Sequence, residues 1–366
     1  MTNTELAELS DTLLITAIGA YAVAMVGYTV EYAFGAKGAV ASRVKAQLPK
    51  QRALATVGGG TPDTSADVPT PPAEEPSAKR GKSARFGVFA IIATIVGALA
   101  QVACLTTRGL STDRVPWGNM YEFISAVCLA GVVAWLVLAF TKPVRHLGMF
   151  VLLPVVLLLG LAGTVLYAEA APLMPALNSF WLKIHVSTAA LASGVFLTGF
   201  VTAALYLIRE RYERRIEEWA VQDAKAAVSG MAENSADDSD ESEDADTSRE
   251  LRFPLTLGPR LPSSETLERL TFRIHALAFP IWTFAIVAGA IWAEAAWTRY
   301  WGWDPKETWA FISWVIYAAY LHARSTNGWR GAKSMMIVLA GWASMMVNLF
   351  VINLVTSGLH SYSGVS

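Results

Sequence analysis

Residues 299–310 read RYWGWDPKETWA, and the side chains in that string suit a flat apolar ligand better than a catalytic centre. Trp297, Trp301, Trp303 and Trp309 fall within thirteen residues, and indole faces are large apolar surfaces for an aromatic ligand to lie against. Two histidines belong to the same picture. His185 stands in FWLKIHVSTAALASG and His360 in VTSGLHSYSG, each beside the end of a long apolar run. A pair of imidazoles converging on one plane beside those indoles could ligate a haem iron from both faces. No pattern for nucleophilic catalysis accompanies them: there is no GxSxG and no Ser–His–Asp set.

Two simpler readings apply to the same string. Tryptophan and tyrosine gather in belts at membrane interfaces. Asp304, Pro305 and Glu307 also suit the N-cap, N1 and N3 positions of a helix, a capping box with proline in its favoured place. These readings account for Asp304 and Glu307 but not for four tryptophans so closely spaced. The other histidines carry less. His322, in YAAYLHAR, closes an apolar run; His275 begins another, and His146 stands in a polar connection. A lone histidine at a helix end is more often interfacial or capping than a ligand.

The elements that must position these groups are membrane helices. Of 366 residues 54% are apolar and 16% charged, against about a quarter charged in soluble domains. Runs long enough to cross a hydrocarbon core about 30 Å thick occur at about 12–34, 86–105, 119–140, 147–167, 185–208, 275–297 and 335–357. A shorter eighth, about 305–323, begins inside the tryptophan string. The expectation is an all-α polytopic membrane protein of about eight helices, since helices satisfy every backbone group in lipid. The first eleven residues hold three acids and no base, unlike the basic start of a cleavable signal, so helix one is expected to be retained. Cys104 and Cys128 lie within predicted helices without CxxC spacing and read as inert. A net charge of −1 gives no field favouring nucleic acid.

Lysine and arginine accumulate in cytoplasmic loops. The basic segments are 35–85, 141–146, the RERYERR after helix five and HARSTNGWRGAK after helix seven. They alternate with poorer ones, which places both termini and the tryptophan string outside. The chain then divides into a first helix (1–34), a flexible cytoplasmic loop (35–85) and helices two to five (86–208). A cytoplasmic segment (209–268) and helices six to eight with the external tryptophan loop (269–366) follow. Residues 56–78 and 233–250, the latter a run of acids without aromatics, are expected to be disordered linkers.

WGWDPKETWAFISWVIYAAYLHAR closely resembles the tryptophan-rich WWD signature of haem-handling proteins, in particular the CcsA/ResC cytochrome c biogenesis subunit of System II, called CcsB in some bacteria. WLKIHVSTAALASG, GLHSYSG and WGNMYEFIS match as well, so the resemblance runs from about residue 86 to the end, the acidic loop excluded. It implies a bacterial plasma-membrane protein that, with a ResB-type subunit, moves haem b in transit to the external side. There the haem would be joined to the CxxCH of apocytochrome c, with a thiol–disulfide reductase as a further candidate partner. On that resemblance His185 and His360 are the external haem ligands. Trp297, Trp301, Trp303, Asp304 and Trp309 form the haem-holding segment, and His322 ligates haem within the membrane with a second ligand from the partner. His275 departs from the family pattern and takes no role. The chain would be a subunit of a cytochrome c synthase, a lyase, with no nucleophile of its own. Haem propionates want cations, for which Lys183, Arg299 and Lys306 lie on the right side, although each also suits a snorkelling interfacial charge.

Two other classes remain. A transporter would use polar residues in its helices, here Glu31, Glu122, Glu294, Asn348 and Asn353. A bis-histidine electron carrier would place its ligand pairs on facing helices inside the bilayer. Cytochrome c maturation in histidine variants separates these from the synthase reading.

Overall fold

The structure, a computed structural model, describes residues 2–34, 78–171, 179–233, 251–326 and 329–356. His360 lies outside the described residues, and so do the two linker segments except for their end residues Ala78 and Glu233. Eight long helices make up the described chain: α1 (Asn3–Phe34), α2 (Ala78–Thr112), α3 (Met120–Thr141), α4 (Gly148–Thr164), α5 (Phe180–Glu233), α6 (Ser264–Trp297), α7 (Pro305–Ser325) and α8 (from Ala332, through a π turn at Val347–Val351, to Val355). Seven of the spans are long and apolar enough to cross a membrane. The eighth, α7, is 21 residues long and starts with Pro-Lys-Glu-Thr, which lowers its mean hydropathy. The chain is an all-α polytopic membrane protein.

Three helices outrun their apolar stretches. α2 begins at Ala78, α6 at Ser264, and α5 runs 54 residues to Glu233. Apolar length finds the part of a helix that lipid demands. The rest is held by local pairs, as where Arg209–Glu213 at 2.6 Å and Arg214–Glu210 at 3.3 Å bridge successive turns of α5.

Inward faces recur at helical spacing. On α6 they are Leu267, Thr271, Ile274, Ala278, Trp282, Ala285, Ala288 and Trp292. Large aliphatic side chains face outward as well: Leu157 is 64% exposed, Leu277 62% and Ile92 54%, as suits an exterior solvated by acyl chains. α1 packs along α2, α5 along α6, and α3 joins the two halves by crossing α5. That crossing is close: a Cβ on Gly194 would stand 2.5 Å from Gly131 N and from Val127 O. Small residues let backbones approach where lipid gives helices no hydrophobic reason to associate.

Both ends of the described chain reach the same end of the bundle. Near the start of α1, Ser10 Oγ lies 3.4 Å from Cys104 Sγ of α2, and the Tyr167 hydroxyl donates to Asp11 at 2.7 Å. The starts of α3, α5 and α7 and the tail of α8 meet around one cavity at that end. At the opposite end Glu31 pairs with Arg145, and Arg324 with Glu268 at 3.2 Å.

Candidate functional site

The cavity has a volume of about 440 Å³ and opens at the α1 end of the bundle, within the range for a medium-sized ligand. Its walls come from the 112–120 connection, the start of α5, the last four turns of α6, the α6–α7 loop and the π turn of α8. A π turn re-aims side chains mid-helix and is frequent at functional sites. Here it carries Asn348 and Leu349 onto the wall, with Met345 and Met346 just ahead of it.

His185 is in the second turn of α5 and lines the cavity. Its Nδ1 lies 2.7 Å from the carbonyl oxygen of Ala285 on α6. A carbonyl only accepts, so Nδ1 carries the proton and the lone pair of the neutral ring belongs to Nε2, the state that ligates a metal. The imidazole stacks with Trp292 at 6.5 Å and an interplanar angle of 11°, and Trp292 meets Trp297 at 4.8 Å and 64°. The ring fits because residue 289 is glycine: a Cβ there would lie 2.7 Å from both Cε1 and Nδ1 of His185.

The loop between α6 and α7 is set by its caps. Thr298 ends α6 in the left-handed region at φ 57. Asp304 accepts from the Lys306 N–H at 3.2 Å, and Glu307 Oε2 accepts from the N–H groups of Asp304 at 3.1 Å and Gly302 at 2.9 Å. The capping box expected from Asp304, Pro305 and Glu307 is therefore present. Trp303 is held at φ 56, a conformation that bulky residues rarely adopt. The residue is 65% exposed, and its ring stands edge-on to that of Trp301 at 5.8 Å.

The structure brings together His185, Trp297 and Trp301 on the cavity wall. Trp303 is exposed beside Trp301, and Asp304 is buried in its cap. Trp309 is half-buried on the first turns of α7, and the described wall does not include it. His322 is exposed near the far end of α7, about 25 Å from the loop at 1.5 Å per residue. His275, read as a helix start, is instead eleven residues into α6 and fully buried. It packs against Phe196, Tyr317 and Tyr320, and its Nδ1 lies 2.8 Å from the Thr271 carbonyl. Of the candidate cations, Lys183 and Lys306 line the cavity, whereas Arg299 is exposed and folds over Gly302.

Sequence reasoning missed Trp292 and Trp282, which share the wall with Ala285 and Gly289. The signal was there, since 282, 285, 289 and 292 follow one helical face. It also left open what Glu122 does. That carboxylate is fully buried and accepts from Arg108 Nε at 3.1 Å, from Arg114 at 2.7 and 3.0 Å, and from the Gly118 N–H at 2.7 Å. It ties the 112–120 connection, one wall of the cavity, to α2 and α3.

Residues 117–360 match the protein family described as Cytochrome C assembly protein. The chain is 33% identical over 294 residues to the cytochrome c biogenesis protein CcsA of Gloeobacter violaceus, covering 75% of this chain and 86% of that one. It is 35% identical over 280 residues to the CcsA of Microcystis aeruginosa, covering 72% and 84%. The CcsA of Porphyra purpurea is 31% identical over 279 residues, covering 75% and 86%. The chain is a member of the cytochrome c assembly protein family, of the CcsA type, and its role lies in cytochrome c biogenesis.

Proposed function

We propose that the chain is the haem-handling subunit of a cytochrome c synthase, receiving haem b as cargo and presenting it for attachment to apocytochrome c. One observation carries this reading. His185 is fixed in its iron-ligating tautomer by the Ala285 carbonyl and lies in a cavity walled by Trp292, Trp297 and Trp301. His360 follows α8, whose tail lies on the same cavity, and is the second axial ligand of the proposal. The tryptophans give the macrocycle an apolar bed, and the protein supplies position rather than a nucleophile.

The attachment then needs only the substrates' own groups. Each CxxCH thiol adds across one haem vinyl: sulfur bonds the carbon next to the ring, the proton goes to the terminal carbon, and no oxidant or reductant is consumed. The CxxCH histidine replaces one protein imidazole on the iron and so releases the product. Orientation follows from charge. The end of the bundle opposite the cavity carries Arg145, Arg209, Arg260, Arg324 and Arg330; by the positive-inside rule that end is cytoplasmic, and the cavity faces outward across a bacterial plasma membrane. His322, exposed on the outer face of α7, is open to a second ligand from a ResB-type partner.

The test is the absorption spectrum of the purified protein, wild type and His185→Ala, with cytochrome c maturation scored in cells. The expected result is haem held without covalent attachment, a changed or absent axial-ligand spectrum in the variant, and failed maturation. An unchanged spectrum together with normal maturation refutes the proposal. Altered haem with intact maturation identifies an electron carrier instead.

A further inference from the structure

One wall of the cavity carries an ammonium whose hydrogen-bond partner is neutral. Lys306, in the first turn of α7, lines the cavity, and its Nζ donates to Oδ1 of Asn353 at the tail of α8. Asn353 is neutral. The acids of the same turn are engaged by the backbone: Asp304 accepts from the Lys306 N–H, and Glu307 Oε2 from Gly302 and Asp304. Asp304 still acts on the Lys306 ammonium through space, but the side-chain oxygen that accepts from its Nζ is the neutral amide of Asn353.

The other wall cations differ. The Arg114 guanidinium is engaged by Glu122 and by the carbonyls of Val115 and Ala171 at 3.2 and 2.9 Å. Lys183 is exposed and shares its charge with solvent. An ammonium turned from water toward an apolar cavity is costly, and an ionised ligand group that enters beside it lowers the cost. Two more wall atoms, Asn348 Oδ1 and Trp282 Nε1, are buried without a hydrogen-bond partner among the described residues, so the wall is equipped for a ligand with polar atoms of its own.

We propose that Lys306, steadied by Asn353, is the carboxylate anchor of the cavity. It takes the ionised acid edge of the ligand, so a haem enters with its propionates at the seam between α7 and α8 and its vinyl edge turned away from that seam. This rests on the haem-handling reading above. The outline of the macrocycle is nearly the same at every edge, so shape alone sets its rotation poorly. Charge at one point of the wall sets it, and the thiols then meet vinyls rather than propionates.

The experiment titrates the full-length protein in detergent with haem and with haem dimethyl ester, whose acids are neutral, and follows the absorption band. Comparing the ratio of the two affinities between proteins cancels the different solubilities of the ligands. A charge-assisted hydrogen bond contributes about 1.5–3 kcal/mol, so the ratio of haem to ester affinity should be about ten- to a hundredfold higher in wild type than in a variant without the ammonium. Lys306→Met should remove that margin while keeping the axial-ligand spectrum, and Lys306→Arg should keep most of it. Asn353→Asp changes no shape and sets an acid against the lysine, so it should lower the ratio as Lys306→Met does; it also decides the matter if Lys306→Met fails to fold. A ratio unchanged in Lys306→Met or in Asn353→Asp overturns the anchor and leaves the haem reading standing. Absence of any His185-dependent band with either ligand overturns the haem reading itself.

Discussion

Gly289 separates the chemistry of the site from the stability of the fold. Gly289→Ala puts a methyl 2.7 Å from Cε1 and Nδ1 of His185, closer than carbon atoms tolerate, so the imidazole must turn away. The displaced group is the far end of a side chain, and no backbone has to move. What is lost is the 2.7 Å bond to the Ala285 carbonyl, which sets both tautomer and direction. Removing such an outer partner of a metal-bound histidine costs about 10–100-fold in affinity, so haem binding should weaken by that factor. Stability should hardly move: alanine in place of a mid-helix glycine contributes about 0.5–1 kcal/mol, offsetting most of the lost hydrogen bond of about 1 kcal/mol. The assay is a haem titration beside a thermal melt, with Gly160→Ala, whose new methyl meets nothing within 4 Å, as the control. Wild-type haem affinity in Gly289→Ala would refute the argument that this glycine exists to seat the imidazole.

Glu122→Gln leaves two buried guanidinium groups facing a neutral amide, and breaking a buried ionic cluster from one side costs about 3–5 kcal/mol. The melting temperature and folded yield should fall steeply, and a melt within a degree of wild type would show the cluster to be dispensable. His322→Ala should leave the haem spectrum of the purified, externally loaded protein unchanged, since the residue sits about 25 Å along α7 from the tryptophan loop. A changed spectrum would mean that the bound haem is elsewhere.

The eight helices were legible because lipid imposes a length and a composition that a single chain reveals directly. Their ends were less so. Nothing apolar marks the start of α6 at Ser264, where the Ser263 side chain accepts from the Thr266 N–H at 3.4 Å and polar turns follow. At the site, the capping box could be read from Asp304 and Glu307 because it is local. The Ala285 carbonyl beside His185 could not, since it joins residues a hundred positions apart. His275 shows the limit from the other side: its place in the sequence suggested an interface, but its depth follows from α6 starting eleven residues earlier. Lys183, Arg299 and Lys306 looked alike in sequence, and only packing sets Lys306 on the wall beside Asn353.

The capping of α7 has a wider consequence for how such a loop is read. From 299 to 307 there are two bases and two acids, which cancel along the chain. They are disposed differently across it, because the Asp304 and Glu307 side chains are drawn onto amide protons of their own loop while the Lys306 ammonium reaches across to Asn353 of α8. A segment neutral by composition is thereby polarised in space. The bonds that draw in the two acids lie within six consecutive residues, so the string would take that half of its polarity with it if grafted onto the start of an unrelated helix, and would leave the place of the lysine behind.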